Sequence, residues 1–441
     1  MSARTVVLAA LAVAALPIAP RPTPAQQAPP AADSLRLATL QAEARAADPR
    51  QAQLALQARE AALQQRNIAA ERLPLVSAAA QAQYQSQVLR IPIQLPGGQQ
   101  FPTPLHDAYD AHVEAQESLF DPSAAPRRGV VRAELAQSDA ATHTALFGLQ
   151  REVNDAFFAA ASLQERARAV ASTITDLTAR LREARERFRQ GAALPGDTAT
   201  FAAAILQRRQ DEIQFLADRR AAIARLAELT GRPLGDGAPL ALPALGPAAA
   251  AARRGLDSLR ARPEYAQFAA ARDLLERQTQ VQSAREMPRV SAFARVGYGR
   301  PGQNLLGTSF QTYWLGGVQV QWTPFTWGTV DRDRQVLEVQ RQIVATSEAA
   351  FTAQLRRSLQ GTLATINQLD STLSMDDRIV ALRERIEEQA RAQLEEGVVT
   401  SADYVDRSTD VLDARLARVM HRVALERARA DLLTTLGLEI P

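Results

Sequence analysis

The sequence predicts a mainly α-helical fold with a small β part, in which one structural unit occurs twice. Three observations predict it: an alanine- and arginine-rich composition with only 5% aromatic residues, an internal repeat, and short stretches in which apolar and polar residues alternate. Ala, Arg, Glu and Gln favour helices, and few aromatic residues argue against one thick core. The composition therefore indicates long helices rather than a globule.

The charges of the chain are interleaved rather than clustered. All 51 basic residues are arginines, and 48 acidic residues leave a formal net charge of only +3. Stretches such as RLREARERFR, residues 180–189, place opposite charges three or four positions apart, which is typical of exposed helix faces. Because a nucleic-acid interface needs a basic patch, no nucleic-acid partner is predicted.

The first 25 residues have the pattern of a secretory signal peptide. Arg4 precedes an apolar run at 6–16, and small residues follow near Ala25, after which cleavage is expected. The apolar run is too short for a membrane-spanning helix, and no later segment approaches 20 consecutive apolar residues. The chain has no cysteine, so it carries neither disulfides nor a lipid-modified N-terminal cysteine.

The chain repeats itself at an offset of 205 to 214 residues, which divides it into repeats at 26–247 and 248–441. An offset of 206 places Gly191 on Gly397 and Asp197 on Asp403 without a gap. An offset of 214 aligns LPLVSAAA (73–80) with MPRVSAFA (287–294). Loop-length differences account for the drift between offsets, so the sequence predicts a duplicated unit.

Each repeat predicts the same order of elements: helix, strand pair, long helix, tip and shorter helix. In the first repeat these are a helix at 34–72 and strands at 75–90 and 108–120. The long helix at 127–190, the tip at 191–197, the shorter helix at 198–231 and a linker follow. In the second repeat these are a helix at 251–286 and strands at 289–299 and 311–325. The long helix at 330–396, the tip at 397–403 and the shorter helix at 402–437 follow. The long helices measure about 100 Å and the shorter ones about half as much, at 1.5 Å per residue.

The spacing of apolar residues in the shorter helices predicts coiled-coil packing. Apolar residues recur at heptad steps from Leu206 to Leu226 in the first repeat and from Leu412 to Leu433 in the second. The stretches 34–72 and 251–286, stacked end to end with these helices, complete each column. The predicted helical part is thus a set of long antiparallel coiled-coil columns.

The strand segments place apolar residues on one face and glutamine-rich polar residues on the other. Val76, Ala78 and Ala80 alternate with Ser77 and Gln81, and the other three segments follow the same period, although Phe293 interrupts the polar face. Such a sheet fits a barrel wall between lipid and water, and equally an amphipathic sheet packed on helices in a soluble protein. Four strands cannot close a water-filled barrel, so a membrane position requires several chains to pool their strands.

The chain resembles the TolC family of outer-membrane efflux channels over essentially its whole mature length. The resemblance rests on the duplication, on LPLVS and MPRVS at the strand starts, on SLFDPS and TPFTWG at the strand ends, and on two tips with Gly six residues before Asp. It implies a homotrimer in which each chain gives four strands to a 12-stranded outer-membrane β-barrel and helices to a periplasmic α-barrel. It also implies outer-membrane lipid, a periplasmic adaptor protein and an inner-membrane pump of the RND or ABC type as partners.

The two tips are the candidate functional site. Gly397 suits a helix end, and Thr400 with Asp403 fits a helix cap. The resemblance additionally implies a pore constriction formed by Asp403 and Asp406, one helical turn apart, with a further acidic residue in the first tip. The residues assigned to the constriction are Asp403, Asp406 and Asp197. The residues assigned to adaptor docking are Gly191, Ala192, Leu194, Gly397, Val398 and Thr400. The aromatic and arginine gate partners of the family are not reproduced, since Leu394 and Val399 stand in those places.

No catalytic, cofactor-binding or metal-binding motif is present. The four histidines lack metal-ligand spacing, and neither a phosphate-binding glycine loop nor a G-x-S-x-G elbow occurs. The sequence therefore predicts a passive exit channel of a tripartite efflux or type I secretion system rather than an enzyme. The alternative is a periplasmic coiled-coil scaffold without a pore. Drug efflux, metal efflux and protein secretion remain open.

Overall fold

The structure is a computed structural model that describes residues 34–88, 103–191, 194–254, 261–302 and 307–441. The expected signal peptide at 1–25 lies outside the described residues, as does Ala192. Within the described ranges the chain is mainly helical, with one sheet of four strands. The predicted fold class is confirmed.

Eight helices and four strands make up the described fold. The first repeat contains α1 (Leu37–Ala47), α2 (Arg50–Ala70), β1 (Leu75–Tyr84), β2 (Asp107–Phe120), α3 (Ala124–Arg189) and α4 (Pro195–Thr230). The second contains α5 (Gly246–Arg254), α6 (Pro263–Ala284), β3 (Arg289–Arg300), β4 (Gln311–Gln321), α7 (Thr329–Glu395) and α8 (Ser401–Thr435). Among the helices described here, none combines the length and apolar character needed to cross a membrane.

The predictions of single helices at 34–72 and 251–286 are wrong, because each stretch is broken. Asp48 and Arg262 adopt extended backbone, with ψ of 127° and 139°, immediately before Pro49 and Pro263. The proline ring clashes with a helical residue before it, and this ends the helical conformation at both sites. The new helices then begin at Arg50 and Pro263.

The predicted strands at 75–90 and 311–325 are too long. Among the described residues β1 ends at Tyr84, which pairs with Asp107, the first residue of β2, and a single backbone bond of 2.7 Å from the Gln85 N–H to the His106 carbonyl follows. β4 ends at Gln321, which pairs with Arg289, the first residue of β3. Each strand therefore ends where its neighbour does.

The sheet is antiparallel with strand order β1-β2-β3-β4, and its register separates an apolar from a polar face. One continuous apolar row crosses all four strands: Ala78 pairs with Val113, Val113 with Val296, and Val296 with Trp314. On the polar face Arg295 Nε donates to Glu114 Oε2 at 2.7 Å across the β2–β3 pair. The alternation predicted from the sequence is thus present in the structure.

The shorter helices complete two columns beside the long ones. At the end of α4, a Cβ placed on Gly231 would lie 2.9 Å from the Cβ of Ala47, just before α2 begins. At the end of α8, a Cβ placed on Gly437 would lie 3.1 Å from Arg262, just before α6 begins. Therefore α4 and α2 follow one another along α3, while α8 and α6 follow one another along α7, as the sequence predicts.

Within the described residues, the order of neighbouring elements leaves two open edges in the sheet and in both halves of the helical part. In the half next to the tips the helices neighbour one another in the order α4, α3, α8, α7, and in the half next to the sheet in the order α2, α3, α6, α7. The sheet likewise has β1 and β4 at its edges. Each layer is therefore an open arc within one chain.

Candidate functional site: the two helix tips

Both long helices end at a glycine in the left-handed region. Gly191 has φ of 74° and Gly397 has φ of 76°. After α7, the N–H of Gly397 donates to the carbonyl of Leu394 at 3.2 Å, and the N–H of Val398 donates to the carbonyl of Gln393 at 2.8 Å. This pair of bonds is a Schellman motif, which satisfies the carbonyls at a helix end. A side chain would meet nothing within 4 Å at either glycine, so the backbone conformation alone requires glycine there.

The following helices begin with carboxylate caps at equivalent positions of the two repeats. Asp403 Oδ2 accepts from the Thr400 N–H at 3.0 Å and from the Thr400 hydroxyl at 2.6 Å, while the Asp403 N–H donates to Thr400 Oγ1 at 3.2 Å. Asp197 Oδ2 accepts from the Leu194 N–H at 3.0 Å. The capping role predicted for Thr400 and Asp403 is confirmed. The hydrogen bonds from Thr400 hold the pKa of Asp403 below its usual range.

Asp406 lies one turn beyond Asp403, on the exposed surface of α8. Within the described residues it makes neither a side-chain hydrogen bond nor an ion pair. Asp410, one further turn along, is instead paired with Arg383 at 2.6 Å and lies 3.6 Å from Arg407. Asp403 and Asp406 are therefore exposed carboxylates at the start of α8 that form no ion pair with an arginine in the described part of the chain.

Contacts between the two tips involve residues that the sequence analysis did not identify. The Ser401 hydroxyl donates to Asp197 Oδ1 at 2.8 Å, and Arg187 Nη1 donates to the Leu394 carbonyl at 3.1 Å. Arg180 Nη1 lies 3.5 Å from Glu395 Oε1. Since Ser401 corresponds to Pro195 in the first repeat, the repeat carries no signal for its bond. These contacts hold the two hairpins together within one chain.

An apolar cluster supports the tips from the helical side. It contains Phe201 of α4 and Tyr404 of α8, both almost fully buried, whose ring centroids are 6.1 Å apart. Leu177 and Leu181 of α3 and Ala390 of α7 also belong to it. Burial raises the pKa of Tyr404, and the nearby carboxylate of Glu387 acts in the same direction. All four helices are thus anchored to one another close to the tips.

The docking residues predicted at the tips are exposed wherever the structure describes them. Leu194 is 72% exposed and Val398 is 68% exposed, although both are apolar. Gly191, Gly397 and Thr400 are also exposed. Beside them, a cleft of about 240 Å³ lies between the hairpins, and Arg187, Asp197 and Leu394 contribute to its lining. The tips therefore present an apolar, solvent-facing surface.

The second half of the chain matches a known protein family. Residues 257–438 match the family described as outer membrane efflux protein. The predicted resemblance to TolC-type outer-membrane efflux channels is thereby confirmed for this part of the chain. No curated protein sequence matches the chain.

Solved structures of outer-membrane channels share the fold of this chain across both repeats. The outer-membrane channel OprN has a TM-score of 0.65 at 18% identity, covering 91% of this chain and 89% of OprN. VceC from Vibrio cholerae has a TM-score of 0.64 at 16% identity, covering 92% of this chain and 97% of VceC. The open state of MtrE from Neisseria gonorrhoeae has a TM-score of 0.65 at 18% identity, covering 92% and 89%. These similarities extend the assignment of the fold to the first repeat.

Proposed function

We propose that the protein is a passive exit channel formed by three copies of the chain. The observation that carries this proposal is that the described elements form open arcs. The edges are β1 and β4 in the sheet, α2 and α7 in the helical half next to the sheet, and α4 and α7 in the half next to the tips. Unpaired strand edges are not tolerated in lipid, so the sheet must close through neighbouring chains. Identical arcs joined edge to edge form a ring when the rotation between them closes.

Apolar stripes on the two helical edges support this assembly. Leu206 and Ile213 of α4 continue the heptad stripe predicted from the sequence, yet both remain more than half exposed, while Leu226 further along is fully buried. On α7 a matching exposed stripe contains Met375, Ile379, Leu382 and Ile386. Because heptad stripes pack against partner helices, the exposed part of α4 fits a helix of another chain.

The two stripes also lie at similar distances from the tips, measured along the helix axes. Ile213 is about 27 Å from the start of α4, and Ile379 is about 24 Å from the end of α7, at 1.5 Å per residue. Leu206 and Ile386 lie at about 17 Å and about 14 Å on the same scale. Edge-to-edge contact of α4 with α7 of the next chain would therefore bring apolar side chains together.

In this assembly the tips form the periplasmic entrance. Asp403 and Asp406 from three chains place six carboxylates around one axis, which favours cations over anions. Asp197 contributes from the first tip, although both of its carboxylate oxygens are engaged. Opening requires the contacts between the tips of each chain to break, which separates the α7–α8 hairpin from the α3–α4 hairpin.

The exposed tip surface supports docking of a periplasmic adaptor. We assign this role to Gly191, Ala192, Leu194, Gly397, Val398 and Thr400, and place an inner-membrane pump of the RND or ABC type behind the adaptor. Exposed apolar residues such as Leu194 and Val398 are typical of protein-interaction surfaces. The channel itself then needs no energy source, because the pump selects and drives the cargo.

Cysteine cross-linking tests the ring directly, since the natural chain has no cysteine. We expect the pair Ile213→Cys and Ile379→Cys, oxidised in membranes, to give a covalent trimer as the largest product. The control pair Leu206→Cys and Met375→Cys uses the same stripes at heights that differ by about 13 Å, and should not cross-link. Monomers only, or an open ladder beyond three chains, would contradict the proposal. Purified protein without conductance in planar bilayers would favour the scaffold alternative.

A further inference from the structure

The segment between β4 and α7 carries an exposed aromatic turn. Trp327 is 80% exposed, and Phe325 is 68% exposed. Their rings meet edge to face, with centroids 4.8 Å apart. Trp327 has φ of 53°, and it is the one non-glycine residue with positive φ in the described ranges. A bulky side chain is strained in this region, and such strain is typical of functional sites. Burial of the indole within the chain does not compensate for it.

The first repeat builds the same turn differently. There Asp121 accepts from the N–H of Ser123 at 2.9 Å and from Arg127 at 2.8 Å, which neutralises the arginine. At the offset of 205, Thr326 replaces Asp121, Trp327 replaces Pro122, and Arg332 corresponds to Arg127. The second repeat therefore keeps the arginine but replaces its carboxylate and adds an exposed indole.

Arg332 carries a charge that no carboxylate balances within the described part of the chain. It is exposed, and its Nη2 donates to the Trp327 carbonyl at 3.2 Å. Arg334, two residues further on, is paired with both Glu286 and Asp331. The guanidinium is thus held at the backbone of Trp327, within the exposed aromatic turn.

The aromatic turn continues the lipid-facing surface of the sheet. Val318 and Val320 belong to the apolar face of β4, and Trp322 follows them with 58% of its surface exposed. Trp322 is fixed because its Nε1 donates to the Glu286 carbonyl at 3.0 Å. The turn lies where the sheet meets the helices, so it is at the periplasmic edge of the membrane part. Tryptophan rings are favoured at this depth, between acyl chains and headgroups.

We propose that Trp327, Phe325 and Arg332 bind a phospholipid of the periplasmic leaflet. The Arg332 guanidinium takes the lipid phosphate, while the two rings lie against the glycerol and the first acyl carbons. The proposal depends on the outer-membrane location and the exposed apolar strand face, and not on channel activity. It therefore stands or fails separately from the proposed exit channel.

Tryptophan fluorescence tests where the indole lies, because the chain has only three tryptophans. Two Trp→Phe substitutions leave either Trp327 or Trp314 as the single emitter, in vesicles of phosphatidylethanolamine and phosphatidylglycerol with bromine at shallow or deep acyl carbons. We expect shallow bromine to quench Trp327 about twofold more than deep bromine. Trp314, which pairs with Val296 inside the apolar row, should show no such preference. Trp327 unaffected by either lipid, as when a neighbouring chain covers it, overturns the proposal.

Lipid retention tests the role of the charge and the strained backbone. Native mass spectrometry should show that Arg332→Gln and Trp327→Gly each lower the number of retained phosphatidylglycerol molecules several-fold, while the control Arg334→Gln retains them. Since glycine adopts φ of 53° without strain, Trp327→Gly should unfold in detergent at a temperature no lower than the natural protein. A lower unfolding temperature with unchanged lipid retention would show that Trp327 supports the fold instead.

Discussion

The Ser401 hydroxyl donates a hydrogen bond of 2.8 Å to Asp197 Oδ1, and this bond joins the first turn of α8 to the first turn of α4. Asp197 thereby accepts two hydrogen bonds, because its other carboxylate oxygen accepts from the Leu194 N–H at the start of α4. Ser401 is only 4% exposed, so its hydroxyl would lose a buried partner if the hairpins separated. The bond is a contact that opening of the tips must break.

Ser401→Ala should make the channel open more readily. A hydrogen bond to a charged group contributes about 1.5–3 kcal/mol, so its loss should raise the open population about tenfold or more. Single-channel recording in planar bilayers measures this as longer open times. Thr200→Ala is a matched control, since the Thr200 hydroxyl only bonds to the Gly196 carbonyl within α4. Equal open times for both variants would show that the Ser401 contact does not restrain the tips.

Asp406→Asn should lower the preference for cations without weakening the fold. Asp406 makes neither a side-chain hydrogen bond nor an ion pair in the described part of the chain, whereas Asp403 caps α8. Asp403→Asn should therefore lower the cation preference and also lower the stability of the protein, because it weakens the capping box of α8. Reversal potentials in a salt gradient measure the selectivity. Asp410→Asn, at a carboxylate already paired with Arg383, is the control and should change selectivity little.

Gly397→Ala should destabilise the second tip through its backbone alone. Alanine in the left-handed region costs about 1–2 kcal/mol, and the open space around Gly397 excludes a steric clash as the cause. The thermal unfolding midpoint, followed by circular dichroism in detergent, should fall by about 2–6 °C. Gly196→Ala, in the other tip but inside α4, should be at least as stable as the natural chain. Equal midpoints for the two variants would contradict this explanation.

Glu387→Gln should stabilise the protein at neutral pH. Burial raises the pKa of Glu387, and the carboxylates of Asp176 and Glu384 reinforce this, while Ser408 and Arg415 oppose it. A carboxyl with a raised pKa in the folded state contributes stability at low pH that is lost as pH rises through that pKa. We therefore expect the unfolding midpoint of the variant to exceed that of the natural chain by about 2 °C at pH 7.

The same comparison at pH 5 provides the control for that effect. There the natural Glu387 is protonated to a larger extent, so the difference between the two proteins should shrink. Glu388→Gln, at the exposed neighbouring position, should leave the midpoint unchanged at both pH values. A stabilisation that is the same at pH 5 and pH 7 would exclude titration of Glu387 as its cause.

Local chemistry explains the parts of the fold and site that could be predicted from sequence. The duplication, the long helices, the alternating strands and the tip caps depend on spacing within one segment, as with Thr400 and Asp403 three residues apart. The helix breaks before Pro49 and Pro263 could also be predicted from the sequence, because proline restricts the backbone conformation of the residue before it. Interpreting 34–72 and 251–286 as continuous helices gave too little weight to that restriction.

The sequence by itself determined that two equivalent hairpins end in glycine turns with carboxylate caps, since these features need only neighbouring residues. Only the tertiary structure decided which side chains join the hairpins. Ser401 and Asp197 are 204 positions apart, and Arg187 is 207 positions from Leu394. Such pairs arise from the side-by-side packing of the α3–α4 hairpin and the α7–α8 hairpin. The tertiary structure also decided the order of the helices, which leaves the α4 stripe at Leu206 and Ile213 exposed. Heptad spacing could not predict this order, because it identifies a packing face but not the partner of that face.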